Sequence, residues 1–164
     1  MINIAITGHR YLDKKYIEQC KQKIHNELVI LKQQDSKIIL YSALADGADR
    51  LMVNEAIKLD IDFIAVLPMD IEEYKKDFDT ESKKEFTKLL KLAKKIIITS
   101  MRENISKDSQ YEKVGYFMSD NCDILFAIWD GKYNNLKGGT SEIVKYHKTK
   151  GKEMFHVKVK RDYN

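Results

Sequence analysis

The stretch that decides the fold runs from Lys37 to Leu59 and reads KIILYSALADGADRLMVNEAIKL. It begins with an apolar run, Ile38 to Tyr41, whose β-branched, aliphatic and aromatic residues predict a strand buried on both faces. Small residues from Ser42 to Gly47 then indicate a turn. Apolar residues recur at helical spacing after this turn, so the stretch predicts a strand, a turn and a helix in succession.

The turn is the first candidate binding site. Gly47 is predicted to lie near a helix N-terminus, where unpaired backbone N–H groups attract anions. Small side chains would let a phosphate or a ribose approach the backbone closely. The residues predicted to contact a ligand here are Ser42, Ala43, Asp46, Gly47, Asp49 and Arg50. The alternative that stays open is a corner whose small residues serve packing alone.

This turn resembles the S-x-x-A-x-G-x-D pattern of the SLOG superfamily, which joins the DNA-processing protein A family, the lonely-guy phosphoribohydrolases and the YpsA-like proteins. Three further segments agree with the superfamily in the same order: ITGHR from Ile6, FIAVLP from Phe63 and CDILFAIWDGKYNNLKGGTSEIV from Cys122. The combination resembles the YpsA-like branch most. The resemblance implies a Rossmann-like fold, whereas the superfamily contains enzymes, sensors and DNA binders.

The alternation of apolar and helical segments predicts an α/β fold, a Rossmann-like three-layer α/β/α sandwich with a mainly parallel central sheet. The length of 164 residues suits one domain, which we assign to residues 1–160, with a C-terminal tail at 161–164. The segment Glu153 to Val159 is predicted to close the sheet as an edge strand. The region Asp70 to Ser82 is predicted either to line the mouth of the ligand site or to cover the sheet edge as a peripheral helix.

Composition bounds the partners and the compartment. A net charge of +4 and a pI near 8.8 favour a phosphate-bearing partner but fall short of a nucleic-acid-binding tail. Cys20 and Cys122 lie far apart in apolar patterns, which predicts buried thiols in a reducing cytosol. The chain shows no leader pattern and no apolar stretch of spanning length, which predicts a cytoplasmic protein without a membrane partner. The superfamily resemblance implies a homodimer or a larger oligomer.

The first strand, Met1 to Ile6, leads into a second group of candidate ligand contacts: Thr7, Gly8, His9 and Arg10. These residues should project from the carboxyl end of the strand, where α/β sheets place ligands. Gly8 permits close backbone approach, and Arg10 carries a planar guanidinium suited to phosphate or carboxylate. For His9 a structural hydrogen bond, recognition of a base or ribose, and acid/base catalysis all stay open.

A third group follows the strand Ile124 to Trp129. It consists of Asp130 and of Gly138, Gly139 and Thr140, which precede a predicted helix and form a second candidate anion cradle. Glu142, in the first turn of that helix, either interacts favourably with the helix dipole or acts as the carboxylate in cleavage of an N-glycosidic bond. The loop 100–109 is predicted at the same end of the sheet, with Arg102 as an anion contact.

The last third of the chain departs from the enzymes that it resembles. The phosphoribohydrolases carry a P-G-G-x-G-T-x-x-E motif and an arginine on the preceding helix. Residues 137–142 read KGGTSE here, which places Glu142 one position closer to the threonine, and Lys113 and Val114 stand where the arginine is sought. Lysine lacks the bidentate fork of a guanidinium. The segment also resembles, more loosely, part of the nucleoside deoxyribosyltransferases, which again implies a nucleoside ligand.

The predicted function is therefore binding of a nucleotide or nucleotide-derived, ADP-ribose-like ligand at the carboxyl end of the sheet, as a sensor or binding protein. Two alternatives stay open: a nucleoside-monophosphate N-glycosidic hydrolase with Glu142 as the catalytic residue, and a single-stranded DNA-binding protein, nucleic acid being the less expected partner. No cofactor is expected, since Walker A and G-x-G-x-x-G sequences are missing. No metal is expected either, because the histidines lie singly along the sequence.

Overall fold

A computed structural model describes residues 1–101 and 104–162 of the chain. Within these residues a six-stranded, fully parallel sheet carries helices on both faces, which confirms the predicted Rossmann-like α/β architecture. The strands are β1 (Ile2–Gly8), β2 (Ile38–Ser42), β3 (Asp62–Leu67), β4 (Lys95–Ile98), β5 (Ile124–Trp129) and β6 (Glu153–Lys158). The helices are α1 (Lys14–Gln34), α2 (Ala48–Lys58), α3 (Ile71–Lys75), α4 (Thr80–Leu92), α5 (Lys107–Asn121) and α6 (Thr140–Thr149).

The strand order is β4-β3-β2-β1-β5-β6, so the predicted edge position of the last strand is confirmed. The chain builds outward from β1 to β4 and then crosses to the other side of β1 to form β5 and β6. This reversal between β1 and β5 is the topological switch point, the place where open α/β sheets form a crevice for ligands.

Both faces of the sheet are covered by apolar helix faces, which explains the nearly continuous apolar runs in the strands. Helices α1, α2 and α4 pack on one face through residues such as Ile24, Met52 and Phe86. Helices α5 and α6 pack on the other through Val114 and Ile143. No helix of the described residues is long and apolar enough to cross a bilayer.

Both cysteines are free and buried, as predicted. Burial raises the pKa of the Cys20 and Cys122 thiols to about 11. Buried thiols with raised pKa values are unreactive, because the thiolate is the nucleophilic form. The two side chains therefore serve as small apolar residues of the core.

Two segments differ from the sequence-based expectations. Helix α5 begins at Lys107, inside the predicted loop 100–109, because the Ser106 hydroxyl caps its first turn by accepting from the Ser109 N–H at 3.2 Å. Arg161, assigned to the tail, forms an antiparallel bridge with Leu12.

Gly8 lies where the end of β1 comes close to β5 and to the start of α2. A Cβ at this position would lie 2.4 Å from the Ile128 carbonyl oxygen and 2.5 Å from the Ala48 Cβ. We expect Gly8→Ala to lower the free energy of unfolding by about 1–3 kcal/mol, as overpacking does. Urea unfolding measures the change.

Gly151→Ala is the control for this variant. A Cβ there would meet nothing within 4 Å, although the residue has a φ of +67°. Its expected cost is about 1 kcal/mol, from the left-handed backbone alone. A Gly8→Ala protein no less stable than Gly151→Ala would contradict the close approach at the end of β1.

Candidate functional site

A cavity of about 360 Å³ opens at the switch point, beside the carboxyl ends of β1 and β5. The loop after β1, the turn before α2, helix α5 and the segment before α6 form its walls. The candidate residues from the three sequence segments that line it are Thr7, Gly8, His9, Arg10, Ala43, Asp49, Gly138, Gly139 and Thr140. The fold therefore brings segments more than 120 residues apart in sequence to one site.

The remaining candidates fall outside the lining of this cavity. They are Ser42, Asp46, Gly47, Arg50, Asp130 and Glu142. Arg102 lies outside the described residues. The contacts of the six others show what each does instead.

The corner at the start of α2 is occupied by groups of the protein itself. The Ala48 N–H donates to the His9 carbonyl at 3.0 Å, and the Ala45 N–H donates to the Asp49 carboxylate at 3.2 Å. The Ser42 hydroxyl accepts from the Leu44 N–H at 3.0 Å. A Cβ on Gly47 would lie 2.2 Å from the Arg10 carbonyl oxygen. These contacts favour the interpretation of this corner as packing, with glycine needed because the loop after β1 lies against it.

Arg50 joins the same corner to α4. Its Nε donates to the Leu44 carbonyl at 3.0 Å, its Nη1 donates to the Ser82 hydroxyl at 2.8 Å, and it pairs with Asp46 at 3.1 Å. The side chain is buried, and the guanidinium lies 4.7 Å from the centre of the Phe78 ring. Arg50 and Asp46 are thus engaged in an internal network that fixes the turn.

The corner at the start of α6 is open by comparison. Its N-cap, Gly139, has no capping side chain, and it lines the cavity together with Thr140. Gly138, with a φ of +77°, lets the turn pass within contact distance of Asp108 and Tyr111 on α5. The Gly139 N–H donates to the Leu136 carbonyl at 3.2 Å, and the start of α6, which no side chain caps, presents its partial positive charge at the cavity.

Glu142 stabilises this turn by a hydrogen bond with its backbone. Its carboxylate accepts from the Gly138 N–H at 2.9 Å. Burial raises the pKa of Glu112, and so do its side-chain hydrogen bond with Glu142 and the negative charge of Glu142. The contacts of Glu142 therefore fit a structural role in the first turn of α6 and not a catalytic one. The buried carboxyl group that lines the cavity is that of Asp49.

His9 connects the ends of β1 and β5. Its Nε2 accepts from the Asp130 N–H at 2.9 Å, and the Asp130 carboxylate lies 3.5 Å away. Burial lowers the pKa of His9, although the Asp130 carboxylate opposes the shift. A ring nitrogen that accepts a hydrogen bond is unprotonated, so His9 is a neutral ring that holds the two strand ends together.

Two residues that line the cavity carry buried donors without an acceptor among the described residues: Nε and Nη2 of Arg10, and Nε1 of Trp129. Arg10 lies 5.3 Å from the centre of the Phe78 ring, and its 3.5 Å contact with Asp46 is too long for a hydrogen bond. The Trp129 side chain is 3% exposed. Buried donors without acceptors are costly and rare in folded proteins, so these groups indicate an acceptor supplied by a ligand.

Sequence reasoning missed two aromatic residues of the site. Trp129 was recognised only as the end of an apolar strand, although an indole N–H next to a turn is a usable signal for a polar contact. Tyr111 comes from α5, and its hydroxyl binds Asp77. Tyr74 lines the cavity and donates to the Ala43 carbonyl at 2.9 Å, so the region Asp70 to Ser82 does contact the mouth of the site.

Asp49 has the most perturbed carboxyl group of the cavity wall. The residue is 7% exposed, and burial raises its pKa from 3.8 to about 7 against the opposing effect of Arg10 and Arg50. Between these two values the folded state binds more protons than the unfolded state. Its contribution to stability is therefore fully present below about pH 4 and is lost as the pH rises through about 7.

We expect Asp49→Asn to become more stable relative to the natural chain as the pH rises from about 4 to about 8. The reason is that the amide carries no buried charge at the higher pH. Thermal unfolding across this range measures the difference. Asp108→Asn, an exposed carboxyl on the same cavity rim, is the control. A constant difference between Asp49→Asn and the natural chain would contradict the buried, proton-binding state of Asp49.

Comparison with solved structures identifies the class of fold. The chain is similar to the X-ray structure of DNA processing protein A from Streptococcus pneumoniae, with a TM-score of 0.60 and 17% identity over 95% of this chain and 50% of that one. It is also similar to DNA processing protein A from Helicobacter pylori, whose structure describes a single-stranded DNA binding mode, with a TM-score of 0.62 and 16% identity. That match covers 94% of this chain and 64% of the other.

The chain therefore has the Rossmann-like fold found in these structures of DNA processing protein A. The matches do not favour the YpsA-like branch. The chain spans 50% and 64% of the lengths of these two structures. No protein-family model and no curated protein sequence matches it.

Proposed function

We propose that the chain binds a nucleotide or nucleotide-derived, ADP-ribose-like ligand whose phosphate lies between Arg10 and the start of α6. The observation that carries this proposal is the set of unpartnered donors on Arg10 and Trp129 in one cavity. A guanidinium and an uncapped helix start both favour a phosphate. The indole N–H offers a further donor to an oxygen of the same ligand.

The size and lining of the cavity suit the rest of a nucleotide. Its volume of about 360 Å³ lies within the range of small-molecule sites, roughly 300–1,000 Å³. Apolar side chains of Ile6, Val114, Met118 and Ile143 line it alongside the polar groups. An apolar wall next to an anion-binding end suits a base or sugar joined to a phosphate.

Binding is supported over hydrolysis. The carboxylate of Glu142 is engaged with the Gly138 N–H and lies outside the cavity lining, which removes the main support for a phosphoribohydrolase reaction. A sensor or binding protein needs only the donors described above. We further propose that the protein is cytoplasmic, forms a homodimer, is related to the YpsA-like proteins and has a single domain at residues 1–160. These four points rest on the sequence resemblance and on the composition.

Single-stranded DNA binding is the second candidate. It is favoured by the similarity to the Helicobacter pylori protein and by a shallow surface groove on α3 and α4. The groove is lined by Lys75, Lys83, Lys84, Lys88 and Lys91, besides Thr87 and Leu92. A row of lysines suits a phosphate backbone, whereas stacking on aromatic rings, the usual second element, does not occur among these lining residues.

Arg10→Gln tests the leading proposal. We expect it to weaken the binding of adenosine 5′-monophosphate or ADP-ribose by at least about tenfold, since a charged hydrogen bond contributes about 1.5–3 kcal/mol. Trp129→Phe, which removes one donor and keeps a ring, should weaken binding by about fivefold. Isothermal titration calorimetry measures both effects.

Lys15→Gln is the matched control, because it removes one positive charge from an exposed position that is close to Arg10 in the sequence and outside the cavity lining. It should bind as the natural chain does. Equal affinities for Arg10→Gln and Lys15→Gln would reject the proposed phosphate position. Release of free base from the nucleotide by the natural chain, lost in Glu142→Gln, would replace the binding proposal with the hydrolase.

The salt dependence of oligothymidylate binding separates the two candidates. If DNA is the partner, affinity falls by orders of magnitude between about 50 and 200 mM salt, and a Lys88→Gln/Lys91→Gln variant weakens it further. If a nucleotide is the ligand, the double variant leaves the binding of adenosine 5′-monophosphate unchanged. Fluorescence anisotropy with a labelled oligonucleotide and with a labelled nucleotide measures both.

A further inference from the structure

The carboxyl group of Asp49 lines the cavity in which an anion is proposed to bind. The following inference rests on that proposed function. We propose that Asp49 holds a proton that it shares with the ligand's phosphate, so that the cavity takes up one anion and one proton together. Asp49 is then a binding residue that acts as a hydrogen-bond donor. The ligand is then an anion with at least two acceptor oxygens, one that contacts Arg10 and one that accepts from the O–H of Asp49.

The geometry leaves one oxygen of Asp49 for this role. The residue lies in the first turn of α2, and its Oδ2 accepts from the Ala45 N–H at 3.2 Å. Its Oδ1 receives no hydrogen bond within the described part of the chain. The side chain is buried and shares the cavity wall with Arg10. A bare carboxylate at this position would repel a phosphate, whereas a carboxylic acid donates its O–H to a phosphate oxygen.

The charged groups around Asp49 come from four segments. Arg10 lies in the loop after β1, Arg50 on α2, Asp46 in the turn before α2, and the Tyr74 hydroxyl on α3. Arg50 and Asp46 pair with each other.

Arg10 faces Asp49 as well, with its Nη2 3.5 Å from the Asp46 carboxylate, and burial outweighs the effect of both guanidinium groups, so that the pKa of Asp49 lies at about 7. A phosphate bound at Arg10 offsets the guanidinium charge and adds a negative one, and both effects raise the proton affinity of Asp49 further. Ligand affinity then decreases as the pH rises above about 7, by up to tenfold for each pH unit.

Calorimetry in two buffers of different ionisation enthalpy tests this inference. The probes are adenosine 5′-monophosphate and inorganic sulfate, because sulfate does not change its own protonation between about pH 6 and 9. The natural chain should take up close to one proton per bound probe near pH 8. Asp49→Asn should take up none, and its affinity should stay constant from about pH 7 to 9.

Two controls keep the result interpretable. Asp108→Asn, on the same rim, should keep the proton uptake of the natural chain. The amide oxygen of Asp49→Asn can still accept from the Ala45 N–H, and circular dichroism checks its folding, with Asp49→Ser as the second variant. His9→Gln, whose amide oxygen can still accept from the Asp130 N–H, tests the imidazole of the cavity wall and should keep the uptake as well.

The outcomes separate this inference from the proposed function. If the natural chain binds either probe without taking up a proton, or if Asp49→Asn keeps the uptake, Asp49 does not hold the proton and the proposed function still stands. Uptake that is lost in His9→Gln and kept in Asp49→Asn assigns the proton to His9 and overturns the inference. If the folded natural chain binds neither probe between about pH 6 and 9, the proposed function fails and the inference fails with it.

Discussion

The attachment of His9 to three neighbouring segments is the constraint on which the rest of the site depends. Its N–H donates to the Ile128 carbonyl at 3.1 Å, its carbonyl accepts from the Ala48 N–H at 3.0 Å, and its ring accepts from the Asp130 N–H at 2.9 Å. One residue therefore fixes the end of β1 against β5 and against the start of α2. The glycine before it allows these segments to come close, because any side chain at Gly8 would overlap Ile128.

The order of strands and helices was predictable from the sequence because each apolar run forms a buried strand and each amphipathic run a covering helix. The two glycine-containing corners looked alike in sequence, and only one is open in the structure. No side chain caps either helix, but the Ala48 N–H at the first corner donates to the His9 carbonyl, whereas Gly139 and Thr140 at the second corner lie at the cavity. Which corner stays open depends on contacts between distant residues, and local patterns carry no information on such contacts.

Contacts between distant residues also decide which carboxylate and which arginine belong to the site, so local sequence patterns could not distinguish them. Glu142 stood in a motif that resembles a catalytic one, yet its carboxylate binds the backbone of its own turn, and Asp49 lies on the cavity wall instead. Arg10 and Arg50 both lie against the ring of Phe78. Arg50 has acceptors at Leu44 and Ser82, while Arg10 keeps two donors without partners. Arg50 fixes the fold through its Nε and Nη1, although its Nη2 also lacks a partner among the described residues, and Arg10, which lines the cavity, is the group available to a ligand.

A crystal structure of the chain with adenosine 5′-monophosphate tests the central claim most directly. The account predicts the phosphate within hydrogen-bond distance of the Arg10 guanidinium and of the backbone N–H groups at the start of α6, with an oxygen of the ligand at Nε1 of Trp129. A nucleotide bound in the lysine-lined groove of α4, with the cavity free of ligand, would contradict it.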